Sequence, residues 1–189
     1  ASDAAKLSGI GGSYVVALSD SAANVTTALT GLQALASNGH LLSLTLPAGA
    51  TVTMTAGQAQ AFKAVQGTYG ITVSDVSANL TGVSLDGLQT LAAAGHLTAV
   101  NVTAVNGVIP PISVSASQVA SDQGAIAKIQ GAYKLDISGK AAEVQSNIGA
   151  IVAQATGSHI STLTTTDGAF TTTAANAATL GTVAGSYGV

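Results

Sequence analysis

The stretch Gly67-Thr68-Tyr69-Gly70-Ile71-Thr72-Val73-Ser74-Asp75-Val76-Ser77-Ala78-Asn79-Leu80 decides how this chain is read. A Gly-x-Tyr opens an alternating, β-branched run, the pattern of a half-buried strand. Ser-Asp then stops the strand and supplies a helix N-cap. Its side-chain oxygen accepts from free N–H groups of the first turn, and its charge meets the positive helix end. Beyond it, Leu80, Leu85, Leu88 and Leu91 fall at steps near three and four, giving a helix one apolar face. Gly95 ends that helix, as expected of a residue at home in left-handed backbone.

Working outward, the same passage recurs. Gly-x-Tyr stands at 12–14, 67–69, 131–133 and 185–187, at steps of 55, 64 and 54 residues. Every tyrosine of the chain, Tyr14, Tyr69, Tyr133 and Tyr187, sits in this context. The three histidines keep the same phase, as Gly39-His40-Leu41, Gly95-His96-Leu97 and Ser158-His159-Ile160. Longer strings align too: Gly31-Leu32-Gln33-Ala34-Leu35 with Gly87-Leu88-Gln89-Thr90-Leu91. Such periodicity marks a repeat protein, with units at about 12–66, 67–130 and 131–187. The third copy is worn: it has Ile137-Ser138-Gly139-Lys140 in place of Ser-Asp, and Glu143 in place of Asn. The middle copy carries an insertion around Val105 to Ile112, with Asn106-Gly107 and Pro110-Pro111.

Within a unit, a second strand follows the first helix: Leu41-x-x-Leu44-x-Leu46, Leu97-x-x-Val100-x-Val102, Ile160-x-x-Leu163. A third strand is expected at Thr51 to Thr55, Ile112 to Ser115 and Phe170 to Thr173. Ser/Thr-Ala-x-Gln/Asn then opens a shorter helix, over 56–66, 116–130 and 174–183. The expected fold is therefore α/β, a repeat solenoid of three β-α-β-β-α units with stacked strands and Ala-rich helices. One unit cannot bury its own faces, whereas stacked units can. The whole chain, 1–189, reads as a single elongated repeat domain. The Leu-x-x-Leu-x-Leu strand is similar to that of a leucine-rich repeat but lacks its turn Asn.

Composition sets the limits on function. Only 7% of the 189 residues are charged, against about 25% in an average domain. Five scattered Lys, no Arg and a net charge of −3 leave nothing to neutralise a phosphate lattice, so no nucleic-acid partner is expected. The absence of Cys excludes a disulfide scaffold. Mean hydropathy is +0.49, yet no run reaches about 18 apolar residues, so no membrane insertion is expected. Neither end carries a processing signal, and the chain reads as a segment of a longer array.

Candidate chemistry follows the repeat. His40, His96 and His159 could form a ligand row along the array, but without convergent partners their place past a helix end reads as capping. Asp20 and Asp75, with Asp136 near the matching place, could form a calcium row. The competing reading, a helix N-cap, is preferred, and no cofactor is assigned. Asp86 and Asp122 read as isolated, solvated acids. No Gly-x-Ser-x-Gly elbow, P-loop or acid pair in a cleft is present, so the chain is read as no enzyme. Thr51, Thr53 and Thr55, and Thr162, Thr164 and Thr166, fall at a period of two on one strand face. That uncharged face is the feature an ice binder would use.

The strings Val-Ser-Asp-x-x-Ala-Asn-Leu (73–80), Leu-Gln-x-Leu-Ala (88–92), Ser-Ala-x-Gln and Ile-x-Gly-x-Tyr resemble tandem repeats of very large RTX-like surface proteins and adhesins of proteobacteria, exported by type I secretion. The resemblance spans roughly 12–187. It implies a secreted or cell-surface location and a structural, spacer or adhesive role, with neighbouring repeats and a cell or abiotic surface as partners. It also leaves open a module binding calcium or a glycan. The Gly-Gly-x-Gly-x-Asp nonapeptide of RTX proteins is absent: Gly11-Gly12-Ser13 runs into Tyr14.

Overall fold

The computed structural model describes residues 1–189, the side chain of Ala5 excepted. A short helix α1 (Ala4–Leu7) leads into strand β1 (Val16–Ser19). The first long helical arm is α2 (Ala22–Thr27) plus α3 (Leu29–Ser37). Strands β2 (Leu41–Thr45) and β3 (Thr51–Met54) follow, then α4 (Ala56–Ala61) with a 3₁₀ turn at Phe62–Ala64. The second unit runs β4 (Gln66–Thr68), β5 (Gly70–Val76), a 3₁₀ turn (Ser77–Asn79), α5 (Gly82–Ala93), β6 (Leu97–Thr103), β7 (Ile112–Ser115), α6 (Ala116–Ser121) and α7 (Gln123–Ile126). The third runs β8 (Ile129–Gln130), β9 (Leu135–Gly139), α8 (Ala141–Ser146), α9 (Ile148–Thr156), β10 (Ile160–Ala169), α10 (Ala174–Leu180) and β11 (Ala184–Gly188).

The strands form three sheets, ordered β1-β2-β4, β3-β5-β6-β8 and β7-β9-β10-β11. All of these pairings are parallel. A parallel pair requires a crossover, and here a helical arm makes each one. The chain changes sheet within a strand run. β4 pairs with β2, and after the single residue Tyr69, β5 pairs with β3 and β6. β8 and β9 repeat the handover. Register partners lie about half a sequence period apart, as in Val16↔Leu41, Leu44↔Gly67 and Ile71↔Leu97. Each sequence repeat is thus two ladder steps, one over a long helical arm and one over a short one.

The core lies between the strands and the helical arms, and equivalent positions fill it. Val25, Leu80 and Val144 are buried at the start of the long arm, as are Leu32, Leu88 and Ile151 in its middle. Phe62, Ile126 and Leu180 are buried at the end of the short arm. Each such side chain contributes about 1.5–3 kcal/mol of burial. Ala56, Ala59, Ala116 and Ala125 are fully buried, so the short arms lie close to their neighbours.

Two local expectations are corrected, and the middle-copy insertion takes a defined form. The long arm is not one helix: it breaks at Ala28, at Leu80–Thr81 and at Asn147. Its detached first turn turns aside to pack on a strand edge, α2 on β3 and Ser77–Asn79 on β7. Phe170 to Thr173 is not a strand, because β10 itself continues to Ala169 and the following residues turn to present Thr173 as the N-cap of α10. The middle-copy insertion is a tight hairpin, Val105 and Val108 exchanging backbone bonds of 2.7 and 3.0 Å across Asn106-Gly107. Both turn residues have positive φ, 52° and 80°, as this turn requires.

Candidate functional site

The repeat-defining tyrosines and histidines meet. Tyr14 stacks on His40 with ring centroids 4.1 Å apart, Tyr69 on His96 at 3.9 Å and Tyr133 on His159 at 4.1 Å, all within 12° of parallel. The helix end places each histidine. In α3, the N–H of Gly39 bonds Ala36 O and that of His40 bonds Leu35 O. In α5, Gly95 and His96 do the same to Ala92 and Leu91, and past α9, Ser158 and His159 to Ala155 and Gln154. This double closure satisfies the last carbonyls and needs left-handed backbone at its fifth residue. Gly39 and Gly95 supply it with φ of 74° and 77°, and Ser158 adopts it at 57°.

The histidine carbonyl then enters the ladder, accepting from Val16, Ile71 or Leu135 at 2.7 Å. His40 Nδ1 lies 2.9 Å from Tyr14 O and His96 Nδ1 3.3 Å from Tyr69 O. The tyrosine hydroxyl reaches the other way. Tyr69 donates toward Phe62 O at 3.0 Å and Val65 O at 2.9 Å, at the end of the preceding short arm. Tyr187 bonds the matching Leu180 O and Val183 O, and Tyr14 bonds Leu7 O. Tyr133 departs, donating to Gln154 Oε1 at 3.2 Å. Burial raises the Tyr69 hydroxyl well above its usual range. The Tyr14–His40 and Tyr69–His96 pairs therefore tie the end of one helical arm to the end of the next, whereas Tyr133–His159 stays on the arm of α9. Tyr187 has Phe170 as its ring neighbour, at 6.4 Å.

The aspartates do not form a row. Asp75 accepts from Val76 N–H at 2.9 Å and Asn79 Nδ2 at 2.7 Å through Oδ1, and from Ala56 N–H at 2.9 Å through Oδ2. It is 8% exposed. Asp20 holds the equivalent set: Ser21 N–H, Asn24 Nδ2 and the amine of Ala1. The Ala1 amine, then Asn24 and Ser21, hold the Asp20 carboxyl down at about 2. Asp136 is corrected: the position matching Asp20 and Asp75 is Gly139, six residues past the tyrosine. Asp136 sits three residues earlier on β9 and accepts from Thr162 Oγ1 at 2.7 Å. At Gly139, a Cβ would stand 3.0 Å from Glu143 Oε2. Glu143, replacing the Asn of the other copies, thus brings a carboxylate back to that spot and accepts from Lys140 N–H at 3.1 Å.

These contacts give a direct expectation. Asp75→Ala strips the buried N–H of Ala56 and the amide of Asn79 of their acceptor, and destabilises the chain by about 2 kcal/mol. Urea unfolding checks the loss. Calcium added to the wild type leaves the midpoint unchanged, since both Asp75 oxygens are already occupied by N–H donors.

Asp86 is exposed, as expected of a solvated acid, but Asp122 is corrected. Asp122 is 3% exposed, not solvated, and its carboxyl neighbours that of Asp86. No sequence pattern flags the pair: it arises only because α5 packs on α7. The threonine arrays change axis. Thr55 is the N-cap of α4, in a capping box with Gln58, and Thr166 Oγ1 turns back to Gly139 O. Hydroxyls instead align across strands, as Ser19–Thr45–Thr68, Thr53–Thr72 and Ser138–Thr164–Ser186. An open cleft of about 810 Å³ lies between α4 and the start of α5, lined in part by Thr55, Gln60, Asp75, Asn79 and Ser84. Its acid is Asp75, whose oxygens already accept from N–H donors.

Among the described residues no three His, Cys, Asp or Glu side chains converge as a metal site would require. No helix is long and apolar enough to cross a membrane. The sequence matches no family model, and comparison with curated proteins and with solved structures returned no match.

Proposed function

We propose that this chain is a structural array, an elongated solenoid of three units, about 12–66, 67–130 and 131–187, serving as a spacer or adhesive segment of a secreted or cell-surface bacterial protein. The observation that carries this reading is the Tyr–His joint, built three times with nearly the same geometry. Its chemistry is directed inward, between helical arms, rather than at a ligand. Residues 1–16 and 174–189 add support. They align as Ala1/Ala174, Ala4/Ala177, Leu7/Leu180, Gly12/Gly185, Ser13/Ser186, Tyr14/Tyr187 and Val16/Val189, so the same layer recurs at both ends. Its partners are neighbouring repeats and, for an adhesive segment, the surface it meets.

Solution scattering tests the shape. A compact chain of this length has a radius of gyration of about 16 Å, and a solenoid exceeds it clearly. A value at the compact figure contradicts the proposal. A thermal-shift panel with calcium and glycans tests the binding-module alternative, because a ligand of the native state raises the midpoint.

A second reading draws on the cross-strand hydroxyl rows. Parallel strands about 4.8 Å apart repeat Ser and Thr hydroxyls on a face poor in charge, with Asp136 sharing the face of Ser138, which suits contact with ice. An ice-recrystallisation assay decides it: inhibition that Thr45→Lys abolishes favours this reading, and no inhibition removes it.

A further inference from the structure

Asp86 and Asp122 occupy no shared repeat position: the first unit has Thr30 where the second has Asp86. Asp122 lies in the turn between α6 and α7 and is 3% exposed. Ser121 Oγ donates to its Oδ1 at 3.2 Å. Its Oδ2 is buried with no hydrogen-bond partner. The neighbouring charge is the Asp86 carboxyl of α5: both acids border Gln118, whose carbonyl accepts the Asp122 N–H. Asp86 Oδ1 in turn accepts from Gln118 Nε2 at 3.3 Å.

Two ionised carboxylates are acceptors only, and so cannot satisfy one another. Asp122 is buried while Asp86 is exposed, so a charge on Asp122 is disfavoured both by its burial and by the neighbouring carboxylate. The basic residues near these elements, Lys63 on the 3₁₀ turn packed on α5 and Lys128 just past α7, form no ion pair with either acid. α6, α7, α9 and β7 carry no charged residue. On α8, Glu143 is turned to the Lys140 N–H, and on β9, Asp136 accepts from Thr162. The ion pairs among the described residues, Ala1–Asp20 and Lys6–Asp3, involve neither acid. A proton is the smallest group that turns one acceptor into a donor and removes one charge.

We propose that Asp86 and Asp122 share a single proton, and that this proton locks the α5 helix to the α6–α7 turn of the middle unit. The proton resides on one carboxyl oxygen and is donated to the facing carboxylate. Burial first, and the Asp86 charge second, push the Asp122 carboxyl up to about 6. An acid raised in the folded state stabilises it fully below its unfolded value, and that contribution is lost as pH rises through the folded value. The joint therefore tightens on acidification, opposite in sign to the carboxylate of Asp20. The inference stands apart from the structural role proposed above.

Thermal unfolding at pH 5.0 and pH 7.5, with chelator present, tests it on the full chain. The wild type is expected to lose roughly 3–5 °C in midpoint at the higher pH relative to Asp122→Asn. That variant supplies a permanent amide donor and melts higher than the wild type at pH 7.5. A carbon NMR titration of the wild type keeps the test independent of the variant's folding, with the Asp122 carboxyl expected to titrate above pH 5. Identical pH dependence in wild type and variant overturns the proposal, as does a carboxyl titrating near 4. So does a calcium-induced rise at pH 7.5 that Asp122→Asn abolishes, since a cation and not a proton would then fill the gap.

Discussion

Replacing Gly67 by alanine is expected to destabilise the chain by about 4 kcal/mol. Gly67 has a φ of 111°, and a Cβ built there would stand 2.1 Å from the carbonyl oxygen of Leu44. Leu44 and Gly67 are register partners of β2 and β4, so the neighbour is backbone held in a ladder and cannot yield without breaking it. The control lies in the same motif. Gly12 has a φ of 106°, yet a Cβ there meets nothing within 4 Å. Gly12→Ala should cost only the conformational penalty, about 1 kcal/mol. Urea unfolding of the two variants side by side checks the contrast. Equal losses would mean that backbone conformation alone, and not strand contact, selects glycine in Gly-x-Tyr.

Truncating Tyr69 is the second large effect. Tyr69 is 6% exposed, stacks on His96 and places its one hydroxyl proton between two carbonyls of the short arm. Tyr69→Ala opens a cavity and removes the ring contact and that donor, leaving Phe62 O with only the Val65 N–H, for a loss of about 3–5 kcal/mol. Tyr69→Phe keeps the ring and should cost about 1–2 kcal/mol, the share of the hydroxyl. His96→Ala should cost about 1 kcal/mol through the lost stacking. The double variant Tyr69→Ala with His96→Ala should then lose less than the sum, because the two rings share one contact. Strict additivity would deny that the pair acts as a joint.

These residues also indicate what local sequence carries and what it does not. The order of elements was readable because each has a local cause. Ser/Thr-Ala-x-Gln is a capping box at Thr55 and Ser115, and Gly39 and Gly95 close helix ends. The spacing of Tyr and His marked equivalent positions, but not that the rings touch: Tyr69 and His96 are 27 residues apart, and stacking depends on how one strand lies on the next. For the same reason the change of sheet at Tyr69 and the half-period ladder are not visible in any single window. Register between parallel strands belongs to segments joined by a whole helical arm, so no turn fixes it.

The acids illustrate the limit differently. Asp20 and Asp75 stand where an N-cap is expected, but the caps are the next residues, Ser21 for α2 and Val76 for the 3₁₀ turn; the carboxylates instead hold that corner through the adjacent N–H and the Asn24 and Asn79 amides. Glu143 replaces a missing aspartate from a different rung, a substitution of position that an alignment of strings registers only as wear. Asp122 gave no signal at all. Its burial follows from the packing of α7 on α5, and an isolated acid in a chain this poor in charge looks solvated until the helices are placed.

The central claim is that the units form one continuous ladder in which like layers join like. A tandem chain tests it most directly: residues 1–173 followed by 1–189, so that the second copy's 1–16 stands where 174–189 stands in the first. Urea unfolding of this chain should show a single transition with a higher midpoint than the single chain and a slope approaching twice as steep, because stacked units add an interface and unfold together. A midpoint and slope identical to those of the single chain would mean two bodies unfolding independently, and would contradict the ladder account.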